Sequence, residues 1–149
     1  LEYPVYVHAL VLIGTSAKLP VNPLLIDGIL KNTNETIAQV NQWMWAKGVP
    51  DEFREQSAQM MRQIKPSVIQ GDYIASNHFD VRERLPEISV PTLVIEGEHD
   101  KMVRKNSGQE FAENIPNVEL VTFDAGHMIM LEQSTATVNA IEKWIGTLG

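Results

Sequence analysis

The residues best able to do chemistry stand in two short loops. Glu96-Gly97-Glu98-His99-Asp100 follows the apolar run Thr92-Leu-Val-Ile95, and Asp124-Ala125-Gly126-His127 follows Val118-Glu-Leu-Val-Thr-Phe123. A carboxylate beside an imidazole fixes its tautomer and supports its cationic form, so the imidazole can serve as general base for a nucleophile. Asp100 as the acid and His127 as the base are the candidate pair. His99 is expected to be a neighbouring loop residue, since one imidazole suffices for such a relay. His99, Asp100 and His127 lack H-x-x-x-H or comparable ligand spacing, so no metal site is expected. Asp80 and Asp124 read as a loop anchor and a turn residue. Glu132 reads as a carboxylate favoured by the first turn of the last helix.

Positioning Asp100 and His127 together requires neighbouring strands. Residues 8–13, His-Ala-Leu-Val-Leu-Ile, form an apolar run ending at Gly14, the pattern of a strand buried on both faces. With the two runs named above, this gives three strands, each followed by a polar loop and helical periodicity. The expected fold class is therefore α/β: a three-stranded parallel sheet with helices on both faces. Ligands of such sheets bind beyond the carboxyl ends of the strands, where both loops fall.

The stretch between the first two strands is helical in pattern. After Thr33 and Asn34 as caps, Ile37, Val40 and Met44 repeat at helical spacing. Asp51, after Pro50, caps a helix with the face Phe53, Met60, Met61 and Ile64. Ser67–Asn77 forms a third. Residues 18–78 are expected to be a helical cap or lid, with residues 1–17 and 79–149 as the core. Trp43, Met44, Met60 and Val103, with Trp45 and Met61, are candidates to line an apolar substrate pocket, though each also suits plain packing. Ser107-Gly-Gln-Glu110 reads as a capping box, and a last helix begins near Ser134 with Val138, Ile141, Ile145 and Leu148 on one face.

The 149 residues carry 12 Lys plus Arg against 19 Asp plus Glu, a net charge of −7. No cationic excess is available for phosphates, so nucleic acid and anionic membranes are poor partners. No apolar run approaches the ~20 residues of a membrane span. The absence of cysteine excludes disulfides, thiolate metal sites and a Cys nucleophile. With no basic leader at the start, a cytoplasmic location is expected. Leu1 rather than Met opens the chain, as in a fragment or processed product.

Taken together, these segments resemble the carboxyl-terminal half of the α/β-hydrolase superfamily. Leu1-Glu-Tyr-Pro4 followed by Ala9-Leu-Val-Leu-Ile-Gly14 looks like the end of the helix after the nucleophile and then the sixth strand. Val90-Pro-Thr-Leu-Val-Ile-Glu-Gly-Glu-His-Asp100 looks like the seventh strand and its acid loop. Ala125-Gly-His-Met-Ile-Met-Leu-Glu132 looks like the histidine loop, and residues 18–78 sit where many members carry a lid. The resemblance implies that Asp100 and His127 are the acid and base of a Ser…Asp…His triad acting on an ester, lactone or related acyl bond, without cofactor.

The chain lacks G-x-S-x-G. Gly14-Thr-Ser16 comes closest, but Lys18 stands where the second glycine belongs, and no HGGG-type oxyanion loop is present. The alternative is a non-catalytic binding or assembly module on the same fold. The first strand, central in the family, would lack its other neighbour. Pairing along residues 8–13 with a second copy or with an amino-terminal half is therefore expected.

Overall fold

The computed structural model describes residues 1–149. Three strands, β1 (Leu10–Ile13), β2 (Thr92–Gly97) and β3 (Val118–Phe123), form a parallel sheet in the order β1-β2-β3. β2 is central and its Thr92–Ile95 run is buried. Val94 packs on one face with Ala17, Leu85, Phe111 and Ile115, under helix α5 (Ser107–Asn114). Leu93 and Ile95 face the other way, with Ala125, Ile129 and Trp144, against α6 (Ile129–Glu132) and α7 (Ser134–Ile145). Period-two alternation of Leu, Val and Ile thus feeds two cores from one strand. Each fully buried side chain of this size contributes about 1.5–3 kcal/mol.

The β1 strand is shorter than its apolar run. His8 is exposed, and pairing begins where Leu10 N–H donates to Pro91 O at 2.9 Å. Nor is β1 buried on both faces: it lies at the sheet edge, where Val11 keeps 37% of its surface exposed. The opening residues form no helix end. Leu1–Tyr3 is irregular, and Pro4–Tyr6 is a single 3-10 turn with Tyr3 and Tyr6 largely exposed.

Between β1 and β2 stand four helices: α1 (Pro23–Lys31), α2 (Thr33–Met44), α3 (Asp51–Gln63) and α4 (Pro66–His78). They share a small core of Ile29, Ile37, Ala58 and Ile69. The chain leaves for them past Ala17 and returns at Asp80, where Lys18 and Asp80 form an antiparallel bridge. There Asp80 accepts from Arg82 Nε and Nη2 at 2.8 and 2.7 Å and pairs with Lys18 at 3.3 Å. Hydrogen bonding from Arg82 holds its carboxyl well below the usual range. Asp80 is thus a loop anchor in geometry.

Several helix starts differ from the sequence pattern. Helix α1 is unanticipated, although Asn22 caps it by accepting Leu24 N–H at 2.9 Å, and Pro23 opens it. Neither Thr33 nor Asp51 caps: Thr33 Oγ1 donates to Ile29 O, and Asp51 is simply the first helical residue. In α3 the inward positions are Ala58 and Met61, while Met60 and Ile64 face out. The capping box at Ser107 does not form. Asn106 occupies the left-handed region (φ 66°), and Ser107 Oγ turns back to Arg104 O at 2.5 Å. The Gly108 N–H is taken instead by Glu96 Oε2 from β2 at 3.0 Å. No helix is long and apolar enough to cross a membrane.

Candidate active site

Asp100 sits early in the loop after β2, and His127 sits in the loop after β3. Parallel pairing of Gly97 with Phe123 puts both loops at the carboxyl edge of the sheet. There His127 Nδ1 lies 2.9 Å from Asp100 Oδ2. The other carboxylate oxygen, Oδ1, accepts the amides of Met102 at 2.7 Å and Val103 at 3.2 Å. The Asp100 side chain is only 3% exposed, so its charge is held by three donors out of water. A carboxylate only accepts, so Nδ1 carries the proton and Nε2 is the basic nitrogen. Nε2 has no partner within the chain, and the ring, 29% exposed, lines a cavity of about 410 Å³.

Gly14, at the end of β1, packs against this imidazole. A Cβ there would lie 3.5 Å from His127 Nδ1, and its φ of +54° belongs to the left-handed region that favours glycine. The histidine loop is also fastened to the helices of residues 18–78. Met44 O accepts the amides of His127 at 2.9 Å and Met128 at 3.2 Å. Glu132 Oε2 accepts Gly126 N–H at 2.9 Å and Ala46 N–H at 3.2 Å, while its Oε1 is buried without a partner. Glu132 stands in the single turn of α6, not in the last helix, and its carboxylate clasps the histidine loop to the segment just after α2. An acid ending the apolar stretch Met128–Leu131 was the available signal, since a half-buried carboxylate needs donors.

The other anticipated residues divide. Trp43 and Val103 line the cavity beside His127. Met44 contributes its carbonyl to the histidine loop rather than its side chain to the cavity. Met60 is 68% exposed on α3 and lines none of the larger cavities. Trp45 is buried against Phe53, ring centroids 6.0 Å apart, with its indole N–H on Ser57. His99 faces a different cavity, where its Nε2 meets Asp124 Oδ1 at 2.9 Å in an exposed pair. Such a pair contributes little to stability.

A buried carboxylate bonded to an imidazole at the carboxyl edge of a parallel sheet defines a class: α/β proteins with an Asp–His pair at the strand ends. The chain belongs to the alpha/beta hydrolase fold family, whose model matches residues 45–134. Over 63 residues it is 38% identical to 3-oxoadipate enol-lactonase 2 of Acinetobacter baylyi, covering 42% of this chain and 24% of that protein. Among solved structures it superposes on a thermophilic esterase with a TM-score of 0.89 at 32% identity, over 99% of this chain and 60% of that one. It superposes on the enol-lactonase of Burkholderia xenovorans with a TM-score of 0.81 at 22% identity, over 94% and 56%, a likeness of fold. The chain thus spans less than two thirds of the length of these relatives.

Proposed function

We propose that Asp100 and His127 are the acid and general base of a serine-type hydrolase that opens an ester or lactone. The observation that carries this reading is the 2.9 Å bond from His127 Nδ1 to Asp100, with Nε2 left unpartnered at the cavity. The names of the relatives, an esterase and enol-lactonases, support the bond class. In this mechanism Nε2 takes the proton of a serine hydroxyl as its oxygen attacks the acyl carbon. The imidazolium, supported by Asp100, then returns that proton to the leaving oxygen. Trp43 and Val103 form part of the cavity wall, and residues 18–78 act as its lid. The serine and the oxyanion donors come from a segment that pairs with the free edge of β1.

That last step rests on topology. β1 pairs with β2 alone, Leu10 opposite Thr92 through Ile13 opposite Ile95, and no other strand meets its outer side. An unprotected apolar edge is a template for another strand. Alone in solution the chain is expected to associate through Leu10–Ile13, giving a mass above that of the monomer in light scattering at micromolar concentration. A monomer whose edge amides resist hydrogen exchange would remove this expectation.

The catalytic reading is tested with a fluorophosphonate probe. The 149-residue chain alone should label on no serine, because it lacks G-x-S-x-G. A chimera joining it to the part of the thermophilic esterase that it does not superpose on should label, and lose labelling on His127→Ala. Labelling of the chimera that survives His127→Ala would refute the assignment of the base.

A further inference from the structure

The loop that carries His127 is held on two sides. Its carbonyl side faces the β2 loop: Ala125 O accepts the His99 amide at 2.9 Å, and a Cβ on Gly97 would lie 2.5 Å from the same oxygen. Its amide side faces the helices of residues 18–78. His127 and Met128 donate to Met44 O, and Gly126 donates to Glu132 Oε2, which also accepts Ala46 N–H. Successive amides anchored in this way fix the backbone of the histidine and leave only its side-chain torsions to aim the ring. The anchoring segment is itself fastened. Ala46 O accepts Arg54 Nη2 from α3 at 2.7 Å, and Trp45 is buried.

Of the links between the two segments, the one through Glu132 is made by a side chain. Neither Gly126 N–H nor Ala46 N–H has a backbone acceptor, so without the carboxylate both lose their partner. The clasp runs through Oε2 alone, since Oε1 has no partner. A side-chain amide therefore offers all that the clasp uses, and a methyl group offers none of it. Glu132 does not line the His127 cavity and bonds neither Asp100 nor the imidazole, so its effect on that ring passes through the backbone.

We propose that Glu132 is a positioning residue for the acyl-transfer reaction: it joins Gly126 to Ala46, and through that joint the end of α2 holds His127 where Nδ1 meets Asp100. The proposal rests on the acyl-transfer reading above and adds a residue to it. It also gives the end of α2 a fixed place, because this part of the lid cannot lift from the cavity without carrying the base with it. A base displaced by about 1 Å can lose about 10²-fold in rate.

The first measurement uses the 149-residue chain, with imidazole ¹⁵N shifts read where the rings are neutral and the His127 signals assigned by their loss in His127→Gln. The parent His127 is expected as the Nδ1–H tautomer, the form that Asp100 selects. Glu132→Ala should turn it into a mixture of both tautomers, and Glu132→Gln should restore the parent spectrum. Should alanine prevent folding, Glu132→Asp, one methylene short of the two amides, carries the same expectation. Ile37→Val, which loosens the four-helix core away from the loop, should leave the tautomer unchanged. The second measurement uses the esterase chimera. Glu132→Ala should lower kcat about thirty-fold with KM within about two-fold, because the residue meets no substrate, and Glu132→Gln should stay within about three-fold of the parent. A parent-like tautomer and kcat in Glu132→Ala would overturn the positioning role and leave the acyl-transfer reading standing. Failure of Glu132→Gln to restore either readout, or a mixture of tautomers in Ile37→Val, would overturn it as well. A parent His127 that is already a mixture would remove the acyl-transfer reading itself.

Discussion

Asp100→Ala is expected to lower the unfolding free energy by roughly 2–5 kcal/mol, a large share of what a domain of this size holds. The carboxylate is the acceptor for the amides of Met102 and Val103 and for the imidazole N–H, and it is almost wholly buried. Truncation leaves those donors facing a methyl group. Each well-buried orphan costs about 1–3 kcal/mol, and the part-exposed imidazole less. Asp100→Asn separates stability from chemistry. Its carbonyl can still accept the two amides, but its NH₂ group now faces Nδ1. The ring must then present an unprotonated Nδ1, which moves the proton to Nε2 and removes the base. In the esterase chimera the asparagine variant should keep most of its stability in urea and lose about 10⁴ in kcat. A rate within ten-fold of the parent would show that Asp100 does not orient the base.

Gly126→Ala is expected to destabilise the chain by about 3 kcal/mol and to loosen the histidine loop from the helices of residues 18–78. An added Cβ would lie 2.5 Å from Ala46 N and 2.7 Å from the Trp45 carbonyl carbon. Both are backbone atoms, so no side-chain rotation relieves the overlap, and overpacking of this kind costs 1–3 kcal/mol or more. The displacement would also strain the shared Glu132 carboxylate, which bonds the amides of Gly126 and Ala46. Glu132→Gln retains an acceptor and should cost less than Gly126→Ala in urea unfolding. If Gly126→Ala unfolds at the parent's urea midpoint, the two segments are not held as closely as the geometry states.

The meeting of Asp100 with His127 was legible because its signals are local. A polar loop after an apolar run marks a strand end, and Asp100 and His127 lie at two such ends with a single helix between the strands. β3 spans Val118–Phe123, the whole of its apolar run. The illegible features depend on partners distant in sequence. Glu132 bonds an amide 86 positions away, and nothing near it names that amide. The start of α5 looked like a capping box, yet the donor at Gly108 is served by Glu96 from a neighbouring strand. Helical periodicity alone could not orient α3, because it offers several apolar positions while packing in the four-helix core buries only a narrow stripe. Ala58 claims that stripe and leaves Met60 in solvent. Helix α1 is the exception: Asn22 and Pro23 were an adequate start signal, obscured by the prolines and short apolar clusters around them.

The strand register also favours one order of assembly. Pairing β2 with β3 joins Thr92 to Val118, whereas pairing β1 with β2 joins Leu10 to Thr92 across a loop about three times as long. Closing the longer loop costs about 1 kcal/mol more in chain entropy, before any of the ordering within its four helices. Asp100 and His127 both belong to the shorter unit, so their loops are expected to meet first in folding. The surfaces that enclose them arrive with the late closure: Gly14 beneath the imidazole, Trp43 and Tyr73 along the cavity, Met44 behind the loop. On this ordering Asp100 and His127 would meet before the cavity wall around them, and the closure at Lys18 and Asp80 would complete that wall.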